Sequence, residues 1–234
     1  MPAQAWWLVL LALLLAGGRV LAAEPAKAPP QAGGIIEGTV TYRPDAARPW
    51  RYMRYYVKNS RGGPLAEAVV ALRGRALAAA APAPGAQTVV IDQQGFQFVP
   101  ETVAIRVGDS VKFTNSDETT HNVQTNSEIA TFNVNTVGGG SQTHRFDRAG
   151  GTRQFARIGC VFHSGMRAFV FVFDHPFFQL TEADGQFRFA GVPPGEYELE
   201  LAHPSGELRW RQKVELAPGG RLQIDIALSP DDKK

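Results

Sequence analysis

Three side chains able to hold a soft metal fall in one short stretch of this sequence, Cys160-Val-Phe-His163-Ser-Gly-Met166. A thiolate, an imidazole and a thioether at that spacing can turn toward one point when the stretch is a loop between two strands. The flanking segments Arg153–Ile158 and Ala168–Phe173 both read as strands. A fourth donor must come from elsewhere, and His121 is available in a loop after the expected strand Val111–Thr114. Two imidazoles, one thiolate and a weak axial thioether suit a trigonal copper ion with fast one-electron exchange. Zinc rarely accepts a thioether and usually takes four Cys, His or carboxylate ligands. Two soft sulfurs beside two imidazoles therefore argue for copper. Taken singly, a His or a Met is ordinarily packing. That reading suits His144, His175 and His203, which lack partners at ligand spacing, but leaves the joint spacing of the other four unexplained.

The elements that must position this set are strands. Ile36, Gly38, Val40 and Tyr42 alternate with Glu37, Thr39 and Thr41, and Tyr55–Val57 and Ala68–Leu72 continue in the same manner. Thr102–Val107 alternates up to the turn pair Gly108-Asp109, and Val111–Thr114 follows, a pattern that predicts a hairpin. Further strands are expected at 142–146 and 168–173. Later, Phe187 and Phe189, then Tyr197, Leu199 and Leu201, then Leu222, Ile224, Ile226 and Leu228 each mark one face of a strand. No segment has a helical period, so the expected fold class is all-β, built as sandwiches. Residues 24–34 and 76–87 are rich in Pro, Ala and Gly and read as linkers.

The chain of 234 residues has 24 Lys and Arg against 22 Asp and Glu, so its balance of +2 points to no polyanionic partner. There is no basic stripe or motif for nucleic acid. Trp6–Leu15 is an apolar run of the length of a signal-peptide core, and Ala22 and Ala23 suit cleavage, so residues 1–23 are read as an export signal. A retained anchor is the alternative. Export would place the protein in the periplasm or outside the cell, with no stable membrane insertion after cleavage. An exported chain normally pairs its cysteines, and this one has a single Cys. Either Cys160 is a buried, inert thiol or a metal caps it.

Thr114-Asn115, His121-Asn122-Val123 and the later C-x-x-H-x-x-M resemble the cupredoxins, with a short ligand loop similar to that of the amicyanin and plastocyanin types. The resemblance covers about Thr88 to Asp174. It implies one type 1 (blue) copper ion held by His121, Cys160, His163 and Met166, with Asn122 steadying the ligand loop through hydrogen bonds. It also implies that electrons pass at the outer edge of His163. Two features differ from amicyanins: the stretch from Gly151 to Cys160 is longer, and Gly159 stands where a bulky residue precedes the ligand Cys.

The outer segments resemble a second family. Ile36-Glu-Gly-Thr-Val-Thr41, Gly63–Val70, Thr181–Phe187 and Gly191–Leu199 are similar to the carboxypeptidase regulatory-like (transthyretin-like) sandwich. The expected layout is therefore a sandwich whose first part is 35–75 and second part 175–230, with a cupredoxin domain at 88–174 between them. A series of separate modules is the rival reading. Functionally, these likenesses imply an exported electron carrier that exchanges single electrons with redox proteins and breaks no substrate bond. The alternatives are copper storage or delivery, and a binding or adhesion module with a structural copper. A multicopper oxidase or nitrite reductase needs further His-rich sites, which this sequence does not form.

Overall fold

Alternation of apolar and polar side chains governs the fold from its first strand. In β1 (Gly34–Tyr42), Ile36, Val40 and Tyr42 point into an apolar core while Glu37, Thr39 and Thr41 occupy the wetter face. β2 (Gly63–Pro64) and β3 (Val69–Arg73) follow. The computed structural model describes residues 32–45, 47–48, 62–75, 77, 85–204 and 207–232. The expected signal segment 1–23, residues 24–31 of the first linker, the expected strand Tyr55–Val57 and most of the linker 76–87 lie outside the described residues. Among the described residues every helical or extended element is a strand, so the fold class is all-β.

The central segment comprises β4 (Thr88–Gln94), β5 (Gln97–Val99), β6 (Thr102–Arg106), β7 (Ser110–Asn115), β8 (His121–Asn126), β9 (Thr131–Thr136), β10 (Ser141–Arg145), β11 (Ala156–Gly159) and β12 (Arg167–Phe173). These strands form two facing sheets, ordered β10-β7-β4-β5 and β6-β12-β11-β8-β9. Between them Ile91, Val111 and Phe113 meet Val103, Ile105, Ile158 and Val170 in one apolar cluster.

The expected hairpin at Gly108-Asp109 does not form. β6 lies beside β12 in one sheet and β7 beside β4 and β10 in the other, so the turn carries the chain across the core. Asp109 ties that crossing, its carboxylate accepting N–H bonds from Gln87 (2.8 Å) and Arg106 (2.9 Å). Alternation fits either geometry, because an arch also turns Val103 and Ile105 toward Val111 and Phe113. His121 also differs from expectation: it opens a strand rather than sitting in a loop, paired with Thr136 of β9.

The remaining strands are β13 (Phe178–Leu180), β14 (Gln186–Val192), β15 (Gly195–His203), β16 (Leu208–Leu216), β17 (Arg221–Gln223) and β18 (Ile226–Leu228). β1 pairs antiparallel with β14 and parallel with β17 and β18, and β13-β3-β15-β16 form the opposing sheet. Strands from before the central segment thus share both sheets with strands from after it. Ile36 and Val40 of one sheet meet Val70, Leu72, Leu199 and Leu201 of the other. Gly38 has no room for a side chain: a Cβ there would sit 1.8 Å from the Ile224 carbonyl oxygen, where the chain passes from β17 to β18.

β12 joins the two sandwiches. Its Ala168, Val170 and Val172 face the central core, whereas Phe169, Phe171 and Phe173 pack with Val69, Ala71 and Ala202 of β3 and β15. Phe155 stacks on Phe171 with ring centroids 4.6 Å apart, and Phe173 on Phe178 at 4.5 Å. A strand buried on both faces needs apolar residues at every position, which is what Ala168–Phe173 supplies.

Candidate metal centre

Asn115, the last residue of β7, shapes the approach to His121. Its Nδ2 donates to the carbonyls of Thr119 and Thr136, each at 2.8 Å, and its Oδ1 accepts the Asp117 N–H at 3.1 Å. The chain therefore turns tightly through residues 116–120 and enters β8 at a fixed angle. On the other side, β11 and β12 pair up to Gly159 and Arg167, which closes Cys160–Met166 into a loop. Within it the Met166 N–H donates to the His163 carbonyl at 3.0 Å.

These two supports bring three of the four expected donors to one point. The Nδ1 atoms of His121 and His163 lie 3.2 Å apart, Cys160 Sγ lies 3.6 Å from His163 Nδ1, and all three donor atoms fall within 4.8 Å of one another. His121 is 0 % exposed and Cys160 6 %, while His163 is half-buried. Met166 is buried at the end of the loop, in the same apolar cluster as Cys160. An ion about 2.1 Å from each of three donors in its plane sets them about 3.6 Å apart, and the two separations at His163 Nδ1, 3.2 and 3.6 Å, are of that size. The donors themselves, two imidazoles and a thiolate with a thioether nearby, fit copper.

Asn122 links the two halves. Its backbone N–H donates to Cys160 Sγ at 3.3 Å, and its Oδ1 accepts the Val161 N–H at 3.4 Å. Its Nδ2 donates to Asn133 Oδ1 (2.7 Å), Asn135 Oδ1 (2.9 Å) and the Val134 carbonyl (3.1 Å). The expected departure at Gly159 carries no steric demand, since a Cβ there would meet only the Met166 carbonyl oxygen at 4.0 Å.

Two neighbours were not apparent in the sequence. The carboxylate of Asp117 accepts a hydrogen bond from His121 Nε2 at 2.8 Å, which leaves Nδ1 with its lone pair toward the cluster. The N–H groups of Phe96 (3.0 Å), Gly95 (2.7 Å) and the His121 ring together hold the Asp117 carboxyl below its ordinary range, the Phe96 bond contributing most. Phe96 is the second. Gly95 and Phe96 both have φ near 60° and form the two-residue turn between β4 and β5, which is the geometry of a tight hairpin. The Phe96 ring meets His163 edge-on at 4.9 Å and His121 at 5.4 Å. Ser116-Asp117, five and four residues before His121, and a Gly-Phe turn between alternating strands are the local signals for them. Around the half-buried His163, Phe96, Val161 and Phe162 are each more than half exposed.

The other histidines stand apart from the cluster. His144 lies over Phe132 at 4.2 Å and beside Phe146 at 5.0 Å. His175 accepts the Phe177 N–H at its Nδ1, and His203 is buried at the end of β15.

Fold and site together define a cupredoxin-type β-sandwich, with a His-Cys-His cluster whose His121 and Cys160 are buried, joined to a second sandwich of the carboxypeptidase regulatory-like type. Residues 86–172 match the copper binding proteins of the plastocyanin/azurin family, and residues 170–229 match the carboxypeptidase regulatory-like domain. With the cluster of donors, the first match supports copper as the metal. Among solved structures, the chain is similar to amicyanin from Paracoccus versutus, at 25% identity over 42% of this chain and 89% of that one, with a TM-score of 0.33. It is also similar to a purple cupredoxin from Nitrosopumilus maritimus (24% identity, 36% of this chain, 99% of that one, TM-score 0.32). A copper-containing nitrite reductase from Thermus scotoductus SA-01 is a further neighbour (21% identity, 42% of this chain, 24% of that one, TM-score 0.34). No curated protein matches the sequence.

Proposed function

We propose that this protein is an exported carrier of single electrons that holds one type 1 (blue) copper ion through His121, Cys160, His163 and Met166. The observation that carries this reading is the convergence of His121 Nδ1, Cys160 Sγ and His163 Nδ1 on one buried point, with the Asn122 N–H directed at the sulfur. Copper bound there supplies a reversible one-electron change. The chain's own residues do the rest. Asp117 fixes the tautomer and tilt of His121, and the Asn122 N–H stabilises negative charge on Cys160. Because β8, β11 and β12 hold the donors, the ligand geometry has little freedom to change when the charge does. Phe96, Val161 and Phe162 form an apolar collar around the His163 edge, which keeps water away and suits brief contact with a redox protein partner.

In this proposal residues 1–23 direct export to the periplasm or beyond, 24–34 and 76–87 are linkers, and the copper domain at 88–174 is inserted into a sandwich assembled from 35–75 and 175–230. No substrate bond is made or broken. Copper storage or delivery is the other reading, and the burial of His121, Cys160 and Met166 weighs against the rapid metal exchange it needs. Challenge of the copper-loaded protein with a Cu(I) chelator, alongside voltammetry, separates the two. Slow metal loss with reversible one-electron cycling is expected; loss within mixing time and no reversible wave would contradict electron transfer.

A further inference from the structure

A cleft of about 490 Å³ opens where the two sandwiches meet, on the side of β16, lined by Thr152, Arg153, Glu200, Arg209, Arg211 and Asp232. Junctions between domains are common places for ligand sites, and the size suits a small organic molecule. Its charges do not cancel. Glu200 is fully engaged within the fold: its carboxylate accepts the Thr152 hydroxyl at 2.5 Å and Arg153 at 2.6 and 3.0 Å. Burial opposes ionisation of Glu200, but Thr152 and Arg153 outweigh it and hold the carboxyl below its ordinary range. Asp232 is likewise engaged, accepting the N–H and hydroxyl of Ser229 at 2.7 and 2.9 Å.

The cations are less well matched. In the β15–β16 register Arg209 and Arg211 stand opposite Ala202 and Glu200, two residues apart and therefore on one face of β16. Arg209 donates to the Thr152 carbonyl, and among the described residues no carboxylate lies within 4.0 Å of its guanidinium. Among the described residues Arg211 reaches only Glu198, at 3.9 Å, and Glu198 is already bridged by Arg153 and Arg73. Positive charge is crowded further: Arg209 and Arg157 sit 5.2 and 5.4 Å from the centroid of the same Phe155 ring. Burial, and then repulsion from Arg157, outweigh the attraction of Glu200 and push the Arg209 guanidinium below its ordinary pKa. An anion placed in the cleft would relieve that repulsion, and guanidinium forks match carboxylate and phosphate oxygens in pairs.

We propose that this cleft is a binding site for a small anion bearing carboxylate or phosphate groups, gripped by Arg209 and Arg211 between the two sandwiches. The test is calorimetric titration of the full chain at low ionic strength with inorganic phosphate and, separately, with citrate. One saturable site is expected, with phosphate the tighter if the ligand is phosphorylated and citrate the tighter if it is a polycarboxylate. Arg209→Gln and Arg211→Gln should each weaken binding about tenfold or more, the loss typical of a charge-assisted hydrogen bond, with circular dichroism unchanged. Arg211 is the safer probe of the pair, since its ion pair is long. Absence of saturable binding to both anions, or unchanged affinity in both variants, would overturn the proposal.

Discussion

The carboxylate of Asp117 lies 2.8 Å from His121 Nε2, on the side of the ring opposite the nitrogen that faces His163. A carboxylate behind a metal-binding imidazole fixes which nitrogen carries the proton and how the ring is tilted. Here the carboxylate is itself fixed, by the N–H groups of Gly95 and Phe96 at the tip of the β4–β5 turn. One acidic residue thus ties a hairpin tip to the rear of a donor ring.

Asp117→Ala should lower copper affinity about 10- to 100-fold, the usual cost of losing such a partner, with the fold retained. Competition with a chelator of known affinity measures it. The copper-loaded variant should also show a shifted visible spectrum, because the His121 ring is no longer oriented. Unchanged affinity and spectrum would remove Asp117 from the site's support.

Asn122→Ala should destabilise the chain by about 1–3 kcal/mol, since it leaves the Val161 N–H, the Val134 carbonyl and the side-chain oxygens of Asn133 and Asn135 without their shared partner. Urea unfolding checks the stability, and metal release from the loaded variant should quicken as the loop loses its tie to β9.

Phe171→Ala tests the union of the two sandwiches. Phe171 is fully buried between them and stacks on Phe155. Truncation of a buried Phe costs about 3–5 kcal/mol. The single unfolding transition expected of the parent should separate into two, read by tryptophan fluorescence and by the copper band. A single, unshifted transition would mean the sandwiches are not mechanically joined through β12.

Much of this was readable in advance and some was not, for physical reasons. The strict alternation of β1 announces a strand with one face in a core, and C-x-x-H-x-x-M announces a loop that can wrap an ion. Ala168–Phe173 reads by itself only as a strand; that both of its faces are buried, one of them by the second sandwich, is seen in the packing. Asp117 and Phe96 left weaker traces. Their role depends on the β4–β5 tip reaching His121 across the fold, and no local periodicity records such a meeting. The turn at Gly108-Asp109 was misleading because an arch and a hairpin share the same apolar pattern; only sheet pairing distinguishes them.

Stability should fall as pH drops below about 6.5, the unfolded value of His. Burial lowers the pKa of His203 and of His175, outweighing Glu67 and Glu101 near the first and Asp174 near the second. The unfolded chain therefore binds more protons than the folded one between the depressed folded values and 6.5. Unfolding free energy then rises with pH across that window and is lost on acidification. Urea midpoints at pH 7.5 and 5.5 measure the slope, and His203→Gln should flatten it. An equal slope in the variant would assign the effect elsewhere.

The absorption spectrum of the copper-loaded protein, taken beside Cys160→Ser, bears most directly on the metal centre. Thiolate ligation by Cys160 predicts an intense visible charge-transfer band for the oxidised parent and none for the Ser variant. A parent without such a band, or a variant that keeps it, would contradict a blue copper site at His121, Cys160 and His163.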